Sequence, residues 1–167
     1  EMIAADWTDV GVQTKVKMSA RQLFSQRRNS RLFDVAMWGG AGEIIPVLDP
    51  RWFIPYSSAS HFGLDYAQWY RTGGRKGEEP PAPMRRALDL FGELKRTMDE
   101  EEQIRLFKEI IEINRQHLWA IGGVGAVPQI FIVKNSFRNV PEVAVACWPL
   151  RTPGATAPEC YAIDEDS

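Results

Sequence analysis

Apolar and polar residues alternate along Val10–Met18, with Val12, Thr14, Val16 and Met18 on one side and Gln13, Lys15 and Lys17 on the other. A period of two marks a strand with one covered face. Ser19 follows as an N-cap, and Leu23 and Phe24 among Arg27, Arg28 and Arg31 predict a short amphipathic helical turn. The next stretch, RLFDVAMW (31–38), is almost continuously apolar, as in a strand covered on both faces. Strand, helix and strand in this order predict a βαβ unit with parallel pairing.

From Gly39 to Pro83 the periodicity disappears, and Gly, Pro, Ser and aromatic residues dominate. A structureless loop of that length is uncommon in a compact domain, so short helices such as LDYAQWYRTG are expected to break it. Trp52, Phe53, Tyr56, Trp69 and Tyr70 are too many rings for a solvated linker, and something must cover them. Two helices follow. PAPMRRALDLFGELKRTM places Met84, Ala87, Leu88, Phe91 and Leu94 on one stripe, with Pro83 just inside the start. DEEEQIRLFKEIIEINRQHLWAIG opens with acidic residues that suit the positive helix end and repeats Ile104, Phe107, Ile110, Ile111 and Leu118 before Gly122. The link at Thr97–Asp99 is short enough for an antiparallel hairpin, and the charges around it read as a solvated face. A late strand, PQIFIVKN, precedes a proline-rich tail that would need another surface to rest on.

Composition narrows the function. At 167 residues and 44% hydrophobic content the chain can bury one substantial core. Twenty Lys and Arg against 22 Asp and Glu leave no basic field for a phosphate backbone, which argues against nucleic acid. No apolar run approaches the roughly 20 residues that span a bilayer, and EMIAADWTDV lacks the basic-then-apolar order of a secretory leader. Cys147 and Cys160 have no zinc or redox spacing, and a bridge between them stays open. His61 and His117 lie far apart without HxxxH or HExxH context, so no metal is expected; His117 reads as a helix-end or packing residue.

The chemistry turns on FDVAMWGGAGE, residues 33–43. Gly39, Gly40 and Gly42 after a strand suggest a dinucleotide loop, but Glu43 puts a negative charge at the mouth and Pro46 and Pro50 forbid a long following helix. TGGRKGEEPP has no GK[ST], so it is not a phosphate loop, and Ser57, Ser58 and Ser60 beside His61 are loop composition rather than a triad. No cofactor is implied. Two readings of the turn remain. In one it walls a pocket: Trp38 stacks on a ligand, Gly39 and Gly40 admit backbone amides, and Glu43 accepts hydrogen bonds from an ammonium or hydroxyls. In the other, Trp38 is buried and Glu43 lies at the surface. Glu43 and Asp49 could also form the carboxylate pair of a small α/β glycosidase.

The order of segments as a whole resembles the C-terminal part of the extracytoplasmic substrate-binding proteins of ABC importers, the peptide-type solute-binding family 5. WTDVGVQTKVKM, FDVAMWGGAG, WYRTGGRKGEEPP, the helix pair with TMDEEEQIRLFKEIIEINRQHLWAIGGVG, VPQIFIVKNSFRNVP and the closing PECYAID stand in the family's sequence of parts. The resemblance implies an α/β fold, the C-terminal lobe of a two-lobed periplasmic-binding-protein-like (type II) architecture. It implies a ligand lobe over residues 1–130, and a return strand and tail over 131–167 directed to a missing N-terminal lobe. It further implies a non-enzymatic protein located outside the cytoplasm, which binds an oligopeptide or an oligosaccharide and hands it to ABC permease subunits. Glu43 stands near the position where peptide binders receive the ligand's amino terminus. Their tryptophan three positions earlier is replaced by Gly40, with Trp38 two residues before it. Relatives with a TGGRKGEEPP-like segment include oligosaccharide binders, for which Trp38 and Trp52 would be stacking platforms.

Overall fold

The computed structural model describes residues 2–39, 46–123, 128, 130–145 and 154–164. The chain divides into two compact units, Glu1–Ala36 and Met37–Ser167.

The first unit is helical. α1 spans Met2–Asp9 and closes through Gly11, whose φ of +89° suits a residue without Cβ; the amides of Gly11 and Val12 reach back to Thr8 and Trp7 carbonyls. α2 spans Arg21–Asn29, as the Leu23 and Phe24 pattern predicts. Its N-cap is Ala20, with no side-chain hydrogen bond, rather than Ser19. The two strands expected around it are absent: residues 12–20 and 31–38 adopt no strand pairing, and Val16 and Val35 are exposed. An alternating pattern marks a segment suited to a sheet, but a strand exists only where a second backbone fills its N–H and C=O groups. Among the described residues the sole sheet lies elsewhere, so the βαβ unit is not formed.

The second unit is built on a helical hairpin. α4 spans Ala82–Leu94 and buries Met84, Ala87, Leu88, Leu90, Phe91 and Leu94, which contains the whole predicted stripe. α5 spans Glu100–His117; Asp99 caps it by accepting hydrogen bonds from the Glu101 and Glu102 amides at 3.0 and 3.4 Å. Its buried face is Leu106, Phe107, Ile110 and Asn114, with Ile113 packed beside them. Ile104, Ile111 and Leu118, expected inside, are exposed. The packed face follows positions i, i+1, i+4 and i+8 from Leu106, and that stripe leaves Ile104 and Ile111 on its flanks. α5 also stops short of Gly122, because Leu118 itself takes a left-handed conformation at φ 50°. The charges lie on the solvated face: Arg105 pairs with Glu102 and Glu109, Arg115 with Glu112, and Arg86 reaches Glu109 across the hairpin at 2.9 Å.

α3, Leu64–Thr72, falls on the predicted LDYAQWYRTG. It ends in TGGRKG, where Gly73 is the left-handed C-cap and the Lys76 amide donates to Thr72 Oγ1. Gly74 lies against the Trp69 indole, and Arg85 of α4 stands 5.4 Å from that ring's centroid. TGGRKGEEPP is thus the capped turn that leads α3 into α4.

Among the described residues the late strand is also not formed; residues 130–134 take no strand pairing there, with Ile132 almost wholly exposed. Just beyond it, β1 (Phe137–Arg138) pairs antiparallel with β2 (Ala162–Ile163), Phe137 opposite Ile163. Arg138 pairs with Asp164 at 2.6 Å, Asn139 donates to the Cys160 carbonyl at 2.8 Å, and Tyr161 meets Phe137 edge-on. The closing PECYAID therefore rests on residues 136–139 of its own chain. Cys160 is an exposed free thiol, and Cys147 lies outside the described residues.

Candidate functional site

Two single 3-10 turns, Pro46–Leu48 and Pro50–Trp52, begin the segment between Gly39 and α3. Each proline presets the φ that such a turn requires and ends any longer helix. After them the chain doubles back over the hairpin, burying Ile54 and Pro55. Ser60 is fully buried; its hydroxyl donates to the Ile54 carbonyl at 3.4 Å and accepts from the Ser57 amide at 3.3 Å. This loop brings Trp52 and His61, nine positions apart, into face-to-face contact. Their ring centroids are 4.4 Å apart with 6° between the planes. Trp38 adds a third ring, 6.0 Å from His61 at 22°. The result is an aromatic cluster in which two of the predicted ligand-contacting residues both lie against a histidine the sequence pattern did not single out.

His61 escapes a sequence reading because no spacing rule connects it to Trp38 or Trp52. The contact depends on the fold of the intervening loop. Among the described residues nothing lies within 4 Å of a Cβ built on Gly39. Gly40 and Glu43, the close-approach glycine and the candidate carboxylate, lie outside the described residues. The Trp52 indole Nε1 is buried and has no hydrogen-bond acceptor among the described residues. A buried N–H without an acceptor costs free energy, and such donors ordinarily have a partner.

Asp49 does not act as a carboxylate open to substrate. It is buried, both of its oxygens are bound by the Arg51 guanidinium, and Tyr56 donates to Oδ1 at 3.3 Å. A two-pronged guanidinium–carboxylate pair is a strong, geometrically fixed contact. Here it staples the 3-10 turns, so the glycosidase reading loses one of its two acids. Burial, then the charge of Asp49 and its hydrogen bond, push the Tyr56 phenol above its ordinary value, while Arg51 pulls it partly back. The neutral phenol is thus favoured by folding, and its contribution is complete below pH 10.0, the ordinary value, and fades as pH rises through the folded value. Denaturant titrations from pH 9 upward should show stability falling, with part of the slope removed in Tyr56→Phe; an unchanged slope would contradict this account.

Elsewhere, an open depression of about 630 Å³ runs along α4 past Tyr70, Leu88, Asp89 and Lys95. None of the stacked rings lines it, and its walls carry charges of both signs. His117, at the end of α5, stacks on Trp119 at 5.2 Å, and Trp119 in turn faces Phe62 at 6.4 Å. That agrees with a helix-end packing residue. No group of three or more metal-ligating side chains occurs among the described residues. No helix there is long and apolar enough to cross a membrane.

No protein-family model matches the chain, and no curated protein does. Among solved structures, the chain is similar to one described as an oligopeptide-binding protein, OppA. The likeness has a TM-score of 0.65 and 28% identity, and covers 98% of this chain. The chain spans 28% of that protein's length.

Proposed function

We propose that this chain is a ligand-binding portion of an extracytoplasmic solute-binding protein, a non-enzymatic component of an ABC importer that captures an oligopeptide or an oligosaccharide. The observation that carries this reading is the likeness to the oligopeptide-binding protein, which runs over almost the whole chain. In this reading residues 1–130 belong to the second lobe and residues 131–167 lead back to a first lobe of the same polypeptide. The ligand lies between the lobes, and permease subunits receive it.

The Trp38–His61–Trp52 stack supports an extended ligand with flat faces or rings. Rings held rigid by one another lose little freedom when a ligand settles on them, which favours binding. Glu43 is assigned the ligand's ammonium in the peptide case, with Gly39 and Gly40 giving the backbone close access; Trp38 and Trp52 are assigned the ring faces in the sugar case.

The test is a thermal-shift series on the polypeptide that carries both lobes, with di- to pentapeptides and with cello-, xylo- and manno-oligosaccharides. A true ligand at about 100 times its dissociation constant should stabilise by roughly 2.7 kcal/mol. Stabilisation by peptides that Glu43→Gln abolishes supports ammonium capture, and stabilisation by glycans that Trp52→Ala abolishes supports the ring platform. If neither class shifts the melt, the reading fails.

A further inference from the structure

α5 is an amphipathic helix whose buried face should be apolar throughout, yet it carries Asn114 on the stripe of Phe107 and Ile110. The side chain is nearly inaccessible, with 6% of the residue's surface exposed. Leucine, which branches at the same atom, would extend the stripe and add apolar burial to the hairpin. A buried amide is tolerated only with its hydrogen bonds made, so the partner identifies what the amide is for. Asn114 Nδ2 donates to the Phe53 carbonyl at 3.0 Å, joining residues 61 positions apart. The Phe53 ring packs edge-on against Phe107, two turns earlier on the same face, with centroids 5.7 Å apart. Residue 53 is therefore gripped by α5 through both its backbone and its ring, and the residue before it is Trp52.

The other ring of the stack is tethered in the same way. Ser60, buried and next to His61, binds the Ile54 carbonyl, which belongs to the residue after Phe53. Both rings thus adjoin the backbone at Phe53 and Ile54, and among the described residues only Asn114 ties that backbone by a side-chain hydrogen bond to a helix.

We propose that Asn114 is a positioning residue, whose amide fixes the Phe53 carbonyl and thereby sets the face-to-face register of Trp52 on His61. Its consequence for ligand capture rests on the function proposed above; its effect on the rings does not. The experiment therefore uses no ligand. His61 and His117 are the only histidines, so the imidazole protons of the chain give two resolvable sets of nuclear magnetic resonance signals. A ring stacked on an indole face is shifted upfield from its unfolded position, and His117 on Trp119 serves as the internal reference.

In Asn114→Leu the His61 upfield shift should collapse towards the unfolded position, while the His117 signals and the methyl signals of Leu88 and Ile110 stay in place. Asn114→Ser, too short to reach the Phe53 carbonyl but still polar, should do the same and decides the matter if the leucine variant fails to fold. A His61 shift retained in either folded variant would overturn the proposal, as would an unshifted His61 in the unaltered chain. If the shift collapses as expected and no peptide or glycan stabilises the unaltered protein, the positioning role stands and the ligand-binding reading falls.

Discussion

Replacing Gly77 with alanine should destabilise the second unit by roughly 3 kcal/mol, through left-handed strain together with a backbone collision. Gly77 has φ +88°, and a Cβ built on it would stand 2.2 Å from the Asp65 carbonyl oxygen and 2.6 Å from the Trp69 amide nitrogen. Both are backbone atoms of α3, so no side-chain rotation relieves the contact. The turn must lift away from the helix, and the Glu78 amide would then lose the Asp65 carbonyl it reaches at 3.2 Å. Gly74 and Gly73 also have positive φ, but their surroundings are looser: among the described residues a Cβ on Gly73 would have nothing within 4 Å, and the nearest atoms to one on Gly74 are those of the Trp69 indole, at 3.4 Å and beyond. Alanine at Gly73 should therefore cost only the left-handed strain, about 1 kcal/mol. Urea melts of the two variants provide the check. Equal losses at the two positions would mean that the collision with α3 relaxes without cost.

Arg51→Met should be the next most damaging change, at about 3 kcal/mol, because it leaves Asp49 buried without its countercharge. The pair itself need not stabilise the chain, since taking two charges out of water offsets much of their attraction. This distinction can be measured. Asp49→Asn with Arg51→Met together should recover most of what Arg51→Met alone loses, because no uncompensated charge remains. Tyr56 can still donate to the amide oxygen placed where Oδ1 stood. If the double variant is as unstable as the single one, the guanidinium acts through the packing of its stem rather than through charge. Arg51 retains one-fifth of its side-chain exposure, and Asp49 only 6%. The burden of an unpaired charge therefore falls on the carboxylate, and Asp49→Asn alone should be milder than Arg51→Met.

The helical hairpin was legible from the residue pattern, whereas α1 (Met2–Asp9) was not anticipated. A stripe at Met84, Ala87, Leu88, Phe91 and Leu94 has one stable outcome, a helix with that face buried, because the hydrogen bonds of a helix are made within the segment itself. The same holds for α5, with its acidic first turn and the short link before it. The partial error on its face, with Ile104 and Ile111 outside and Asn114 inside, arose because a polar residue at a core position carries no signal until its partner is known. That partner, the Phe53 carbonyl, lies 61 positions away.

The strands were not legible in the same sense. Val10–Met18, RLFDVAMW and PQIFIVKN all have sheet patterns, yet among the described residues none of them pairs. Pattern reports which face of a strand would be covered; it does not supply the neighbouring backbone that makes it a strand. The short pairing that does exist, Phe137–Arg138 with Ala162–Ile163, joins two segments without any strong alternation, held by Arg138 to Asp164 and Asn139 to the Cys160 carbonyl.

The residue pattern alone thus specifies the hairpin helices, the short helix at LDYAQWYRTG and the presence of more aromatic rings between Gly39 and Pro83 than solvent would tolerate. These are local matters, settled by hydrogen bonds and side-chain periodicity within a few turns. What the fold adds is that Trp52 lies flat on His61, that Trp38 also stacks against that histidine, that Asp49 is bound by Arg51, and that the Asn114 amide bonds the Phe53 carbonyl. Those contacts depend on where a loop of low periodicity crosses a helical hairpin. That path is selected by packing summed over distant residues, which no spacing along the chain encodes.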